Sequence, residues 1–221
     1  MQRDPAHRVD HPVVGVEVDP QVGEFEDWRQ IANLRRRSAD HSAIEGSVTQ
    51  ALRPALFLDR DGVLNEDLGY VSRWEDFRFI PGAARAVAAA NAAGWLVIVV
   101  TNQSGIGRGY YTEADMHALH ARMNAELAAQ GARIDAIYHC PQHPHASVEA
   151  YRHPDPPGRK PNPGMLLQAI ADHAIDPARS LMVGDKPADM EAARRAGVRG
   201  LLVEGGDLFE AVRPLLSPEG G

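Results

Sequence analysis

Cysteine is nearly missing: Cys140 is the only one in 221 residues, so no disulfide can close within the chain. A reducing compartment follows naturally, and the cytoplasm is the expected location. Lysine is almost as scarce. Of 23 basic side chains only Lys160 and Lys186 are lysines, the rest being arginine. Positive charge is not in excess either, since the formal net charge is -7. Bulk attraction to nucleic acid or to an anionic membrane is therefore not expected, and an anionic ligand must be held by local cations or a metal. Long apolar runs are also missing. The longest, residues 83–100, is interrupted by Arg85, Asn91 and Gly94, so no membrane span is expected, and the N-terminus lacks a leader-like pattern.

What remains is an ordinary globular composition, 44% hydrophobic and 24% charged, long enough for one α/β domain and an appendage. Residues 1–50 read as that appendage. Pro5, Pro12 and Pro20 punctuate it, and Phe25, Trp28, Ile31 and Leu34 then recur at three-residue steps. Such spacing predicts an amphipathic helix docked on the main domain, with a partner-binding helix as the other reading. The triplet Arg35-Arg36-Arg37 falls in its last turn, where cations suit the helix dipole without any nucleic acid.

Residues 51–221 alternate between strand and helix patterns. Strands are expected over 55–58, 95–100, 134–139, 180–183 and 198–203, and helices over 82–93, 112–130, 163–174, 188–196 and 208–216. The alternation predicts a Rossmann-like α/β fold, a parallel sheet with helices on both faces. Residues 140–163 form a long loop rich in proline and histidine.

Three expected strands end in polar residues: Asp59-Arg60-Asp61, Thr101-Asn102-Gln103-Ser104, and Asp185-Lys186 with Asp189 one helical turn on. Arg159-Lys160-Pro161 precedes a helix. Each set has a plain structural explanation, because acidic residues cap helices and threonine favours strands. In open parallel sheets, however, ligands bind beyond the carboxyl ends of the strands, so distant residues gather at one rim. Several carboxylates meeting there would repel one another, and a hard cation such as Mg²⁺ relieves that. Thr101, with backbone N–H groups beside it, suits the oxygens of a phosphoryl group.

Taken together, Asp59-Arg60-Asp61-Gly62, Thr101-Asn102-Gln103-Ser104-Gly105, Arg159-Lys160-Pro161 and Gly184-Asp185-Lys186-x-x-Asp189 resemble the four motifs of the haloacid dehalogenase superfamily. The closer resemblance is to its sugar-bisphosphate phosphatases, in the histidinol-phosphate phosphatase-like group, which have little or no cap domain. It spans about residues 55–203. The resemblance implies an aspartyl-phosphate mechanism with Asp59 as nucleophile and Asp61 as general acid and base. It implies Thr101 and Lys160 on the phosphoryl group, and Mg²⁺ held by Asp59, Asp61 and Asp185 with Asp189 behind them. Asp67, Gly69, Tyr70, Asn102, Gln103, Ser104, Arg159 and Lys186 would line the substrate site. The implied substrate is a small sugar phosphate, first the 7-phosphate of D-glycero-D-manno-heptose 1,7-bisphosphate, with histidinol phosphate as the alternative. A non-catalytic binding protein is disfavoured because Asp59 and Asp61 are both present. A monomer is the favoured state.

One departure stands out. The family's loop before Arg-Lys-Pro usually carries a zinc-binding set of cysteines and a histidine, and here only Cys140 is retained. Four-coordinate zinc needs all its ligands. The expectation is a loop without zinc, and a substitute site from Cys140, His143, His145 and His153 is the competing one.

Overall fold

The computed structural model describes residues 15–17 and 51–216. Six parallel strands form one sheet: β1 Gly15–Glu17, β2 Ala55–Leu58, β3 Leu96–Asn102, β4 Ala136–Cys140, β5 Leu181–Gly184 and β6 Arg199–Leu202, in the order β1-β4-β3-β2-β5-β6. The five strands expected from sequence are all present. β1, pairing Val16 with Tyr138, was not anticipated, because three residues are too short a run to carry a period. The helix expected over residues 25–37 lies outside the described residues.

The helices are α1 Ala83–Ala92, α2 Ser104–Gly107, α3 Glu113–Ala128, α4 Gly164–Asp172, α5 Pro187–Ala196 and α6 Leu208–Val212. Strand alternation sends their contacts to two faces. Leu56, Leu58, Val97 and Val99 pack with α1, α3 and α6 residues such as Val87, Met123 and Val212. Phe57, Ile98 and Val100 pack on the opposite face with α4 and α5 residues such as Leu166, Ile170 and Ala192. Both sides of β2 and β3 are thereby buried, which is why these strands read as unbroken apolar runs rather than alternating ones. Helix ends follow local chemistry. Thr112 and Asp115 form a reciprocal capping box, Asp115 N–H donating to Thr112 Oγ1 at 3.1 Å and Thr112 N–H to Asp115 Oδ2 at 2.8 Å.

Topology decides where the site lies. From β2 the chain moves outward through β3 to β4, then crosses back to lay β5 on the other flank of β2. The strand order therefore reverses at β2 and β5, and a crevice opens beyond their carboxyl ends. Between β2 and α1 the only helical piece is a 3₁₀ turn, Trp74–Asp76, so no domain-sized cap is inserted there. β3 runs further than the sequence pattern suggests, because the ladder continues to Thr101↔His139 and Asn102↔Cys140. Thr101 and Asn102 are therefore held on the sheet itself. Among the described residues, no helix is long and apolar enough to cross a membrane.

Candidate active site

Asp59 follows β2 directly, and its backbone N–H continues the sheet pairing by donating to Val183 O at 3.0 Å. That bond fixes its Cα relative to β5, whose end carries Asp185. Carboxylate oxygens of Asp59, Asp185 and Asp189 all fall within 4.8 Å of one another. Among the described residues this is the only grouping of metal-ligating side chains. Lys160 enters it from the loop before α4, with Nζ 2.9 Å from Asp59 Oδ2 and 2.7 Å from Asp189 Oδ1. Lys160, Asp59 and Asp189 are all buried.

Burial pushes the Asp59 carboxyl up to about 6, with Asp189 adding to the push and Lys160 opposing it. Burial alone would lower the Lys160 ammonium, but Asp59 and Asp189 outweigh it and raise its pKa. Burial likewise raises Asp185, against the pull of Lys186. Two unit charges 4.8 Å apart repel by about 3.5 kcal/mol at an effective dielectric near 20. The three carboxylates are poorly balanced by the buried Lys160 and by Lys186, whose Nζ lies 3.4 Å from Asp185 Oδ2 but is shared with Asp67. The residues fit a divalent cation. Oxygen ligands suit Mg²⁺, and Asp185 Oδ1 is buried with no hydrogen-bond partner.

Gly62 shapes this cluster. It has φ +89°, and a Cβ there would overlap the Asp185 carboxylate. Gly62→Ala is expected to lower Mg²⁺ affinity by at least about tenfold, which corresponds to about 1.4 kcal/mol of binding free energy. Isothermal titration against the wild type checks this, and unchanged affinity would show that Asp185 is not a ligand.

Asp61 points into a second network. Its Oδ1 accepts from Arg60 Nη2 at 2.9 Å and Asn65 Nδ2 at 3.0 Å, and its Oδ2 from Arg60 Nη2 at 2.8 Å and Gln103 Nε2 at 3.2 Å. Gln103 also donates to Thr101 Oγ1 at 2.8 Å and accepts from Tyr111 Oη–H at 2.5 Å. Thr101 and Gln103 are buried. Asn102 brackets the Lys160 backbone, donating to its carbonyl at 3.0 Å and accepting from its N–H at 3.1 Å. The lysine is thus placed by the end of β3.

Of the remaining expected site residues, Lys186 and its partner Asp67 border the cluster. Asp67 Oδ2 meets Lys186 Nζ at 2.9 Å, while its Oδ1 accepts from Gly69 N–H at 3.1 Å. Burial alone would raise Asp67, but those partners hold it below the usual carboxylate range. Tyr70, half exposed at φ +53°, sits edge-on to Tyr110 with ring centroids 4.8 Å apart. Ser104 opens α2, a short helix that the sequence pattern does not predict. Its pitch is set by contact, since a Cβ at Gly105 would strike the Tyr111 ring and one at Gly107 the Pro141 carbonyl. Arg159 carries a buried Nη1 without a partner, as does Arg108 at Nε. Arg159 lines a cleft of about 290 Å³ with His143, His145 and Asp155. A larger cleft, about 440 Å³, lies between Trp74 and α3 and touches none of the clustered carboxylates.

Two histidines of the 140–163 loop act as backbone clasps. His143 Nδ1 accepts from His145 N–H at 2.9 Å, and His153 Nδ1 from Asp155 N–H at 3.2 Å. Cys140 is buried, with its sulfur 3.9 Å from Gln142 O.

Sequence reasoning gave no role to Arg60, His120 or Tyr111. A signal existed for His120: it shares the apolar face of α3 with Met116, Leu119, Met123 and Leu127, where a polar side chain needs a partner.

A carboxylate cluster with one buried ammonium, set at the reversal point of a parallel sheet, is the arrangement of the haloacid dehalogenase-type hydrolases. A family model described as HAD-hydrolase-like matches residues 158–212. The D-glycero-D-manno-heptose-1,7-bisphosphate 7-phosphatase of Thermosynechococcus vestitus is 50% identical over 157 residues, 70% of this chain and 80% of that one. The corresponding beta-heptose enzyme of Escherichia coli K12 is 49% identical over 145 residues, 66% of this chain and 75% of its own. A crystal structure of D,D-heptose 1,7-bisphosphate phosphatase from B. bronchiseptica, complexed with magnesium and phosphate, is 34% identical with a TM-score of 0.62, covering 76% of this chain and 89% of that one. The chain belongs to the haloacid dehalogenase superfamily, in the family of the heptose-1,7-bisphosphate 7-phosphatases.

Proposed function

We propose that this protein is a Mg²⁺-dependent phosphatase that removes the 7-phosphate of D-glycero-D-manno-heptose 1,7-bisphosphate through a phosphorylated Asp59. The observation that carries this reading is the meeting of Asp59, Asp185, Asp189 and Lys160 in one buried cluster. An Asp59 oxygen forms a bond to phosphorus while the ester P–O bond breaks. The proton of Asp61 passes to the departing sugar oxygen. Asp61, now a carboxylate, takes a proton from the water that attacks the acyl phosphate, which returns Asp59 and releases phosphate. Lys160 offsets the meeting of two anions. Thr101 Oγ1 accepts from Gln103, which leaves its own proton to donate to a phosphoryl oxygen. Mg²⁺, held by Asp59, Asp185 and the backbone carbonyl of Asp61, would neutralise charge on nucleophile and phosphate.

A substrate with a second phosphate suits the mouth of the site. Partnerless donor atoms on Arg108 and Arg159 lie within reach of one another's fields, close to Tyr70. Lys186 is tied to Asp67 and leaves less free charge for that task. In this reading the His143 and His153 clasps order the 140–163 loop without zinc, and the enzyme works in the cytoplasm.

Steady-state rates on heptose 1,7-bisphosphate, fructose 1,6-bisphosphate and histidinol phosphate test the assignment. The heptose ester is expected to lead by at least about tenfold in kcat/KM, which is the differential binding of a few matched polar contacts. Preference for histidinol phosphate would replace the substrate. Activity is expected to vanish with a divalent chelator and return with Mg²⁺; full rates in metal-depleted protein would remove the mechanism.

A further inference from the structure

Arg60 is fully buried between the two aspartates of its own motif. A charge withdrawn from water must be matched by specific partners. Nη2 faces both Asp61 oxygens and also lies 2.7 Å from the Val71 carbonyl, while Nη1 lies 3.1 Å from His120 Nε2. A guanidinium only donates, so His120 Nε2 must accept, which puts the imidazole proton on Nδ1 and leaves the ring neutral. Burial first, and then the charge of Arg60, hold the His120 pKa well below its usual value, in keeping with that tautomer.

The consequence is a chain of fixed contacts from α3 to the acid–base residue. His120 is held by the packing of α3 on the sheet, Arg60 by His120 and the Val71 carbonyl, and Asp61 by Arg60. Asn65 and Gln103 complete the set, so the plane of the Asp61 carboxylate is determined from three sides. Proton transfer is sensitive to such placement, because donor and acceptor must come within hydrogen-bond reach.

We propose that Arg60 and His120 are positioning residues for the proton transfers of Asp61, with His120 fixing the guanidinium and the guanidinium fixing the carboxylate. This rests on the phosphatase reading above. Neither residue touches the reacting atoms.

A leaving-group comparison separates positioning from mere stability. Departing phenoxide gains much from a delivered proton, whereas 2,4-dinitrophenoxide departs without one. Phenyl phosphate and 2,4-dinitrophenyl phosphate are therefore compared by kcat/KM, which reports events up to departure of the leaving group and not the later hydrolysis of the intermediate. Replacing His120→Phe is expected to lower phenyl phosphate cleavage by at least about tenfold and dinitrophenyl phosphate cleavage by less than about threefold. His120→Gln, whose Oε1 can accept where Nε2 did, is expected to recover most of the loss. Should His120→Phe fail to fold, Arg60→Lys carries the same comparison, since an ammonium cannot span Asp61, Val71 and His120 at once. Equal losses on both esters, or no loss on either, would overturn the positioning role while leaving the phosphatase standing. A wild-type enzyme that cleaved neither these esters nor heptose 1,7-bisphosphate would remove both.

Discussion

Asp59→Asn is expected to stop turnover, lowering kcat by at least about 10³-fold, while the protein stays as stable as the wild type or becomes more so. The first half follows from chemistry. An amide oxygen is a poor nucleophile, and the neighbouring Asp189 carboxylate is already engaged by Lys160 Nζ through Oδ1 and by the Lys186 N–H through Oδ2. The second half follows from electrostatics. Burial already pushes the Asp59 carboxyl up to about 6, with Asp189 adding to the strain. A neutral side chain of the same shape removes that repulsion, and Lys160 keeps Asp189 as a partner at 2.7 Å. Rapid-quench assays of phosphoenzyme and a thermal melt check the two halves together. Wild-type turnover in the variant would end the nucleophile assignment, and a melting point far below wild type would mean that the carboxylate is structural.

Lys160→Met is the second large effect. It keeps an unbranched side chain of similar length but removes the only ammonium between Asp59 and Asp189. Breaking a buried ion pair by deleting one partner costs about 3–5 kcal/mol, because the other charge remains buried. Urea unfolding without divalent ions is expected to report a loss of that size. Added Mg²⁺ is expected to restore more stability to this variant than to the wild type, because a cation bound only by the folded state shifts the balance by mass action. Turnover is not expected to return, because the ammonium that offsets the attacking carboxylate and the phosphate is gone. A variant as stable as wild type in the absence of metal would show that the lysine is not needed to hold the carboxylates together.

The strand ends were legible in the sequence because β2, β3 and β5 are buried on both faces, and each apolar run stops where a polar set begins. The convergence of Asp59, Asp185 and Lys160 followed from parallel topology alone. The division of labour among the polar residues was not legible. Gln103 and Asn102 read as substrate contacts, yet Gln103 bridges Thr101, Asp61 and Tyr111, and Asn102 brackets the Lys160 backbone. Amide side chains serve either purpose equally well, and only coordinates distinguish them. Arg60 was passed over because a charged residue after a strand is usually read as exposed, and its burial depends on His120, distant in sequence. Nor was it legible that His143 and His153 hold nearby N–H groups through Nδ1.

The reacting groups hang from strand ends whose spacing is set by ladder pairing, whereas Leu68, Tyr70 and Tyr110, all exposed, stand on loops outside that ladder. On the proposed function, the bond-breaking groups and the residues at the mouth of the site are thus carried by separable parts of the chain. A lineage built this way can exchange one phosphorylated metabolite for another by editing its rim, generation by generation, and inherit the bond-breaking centre unaltered.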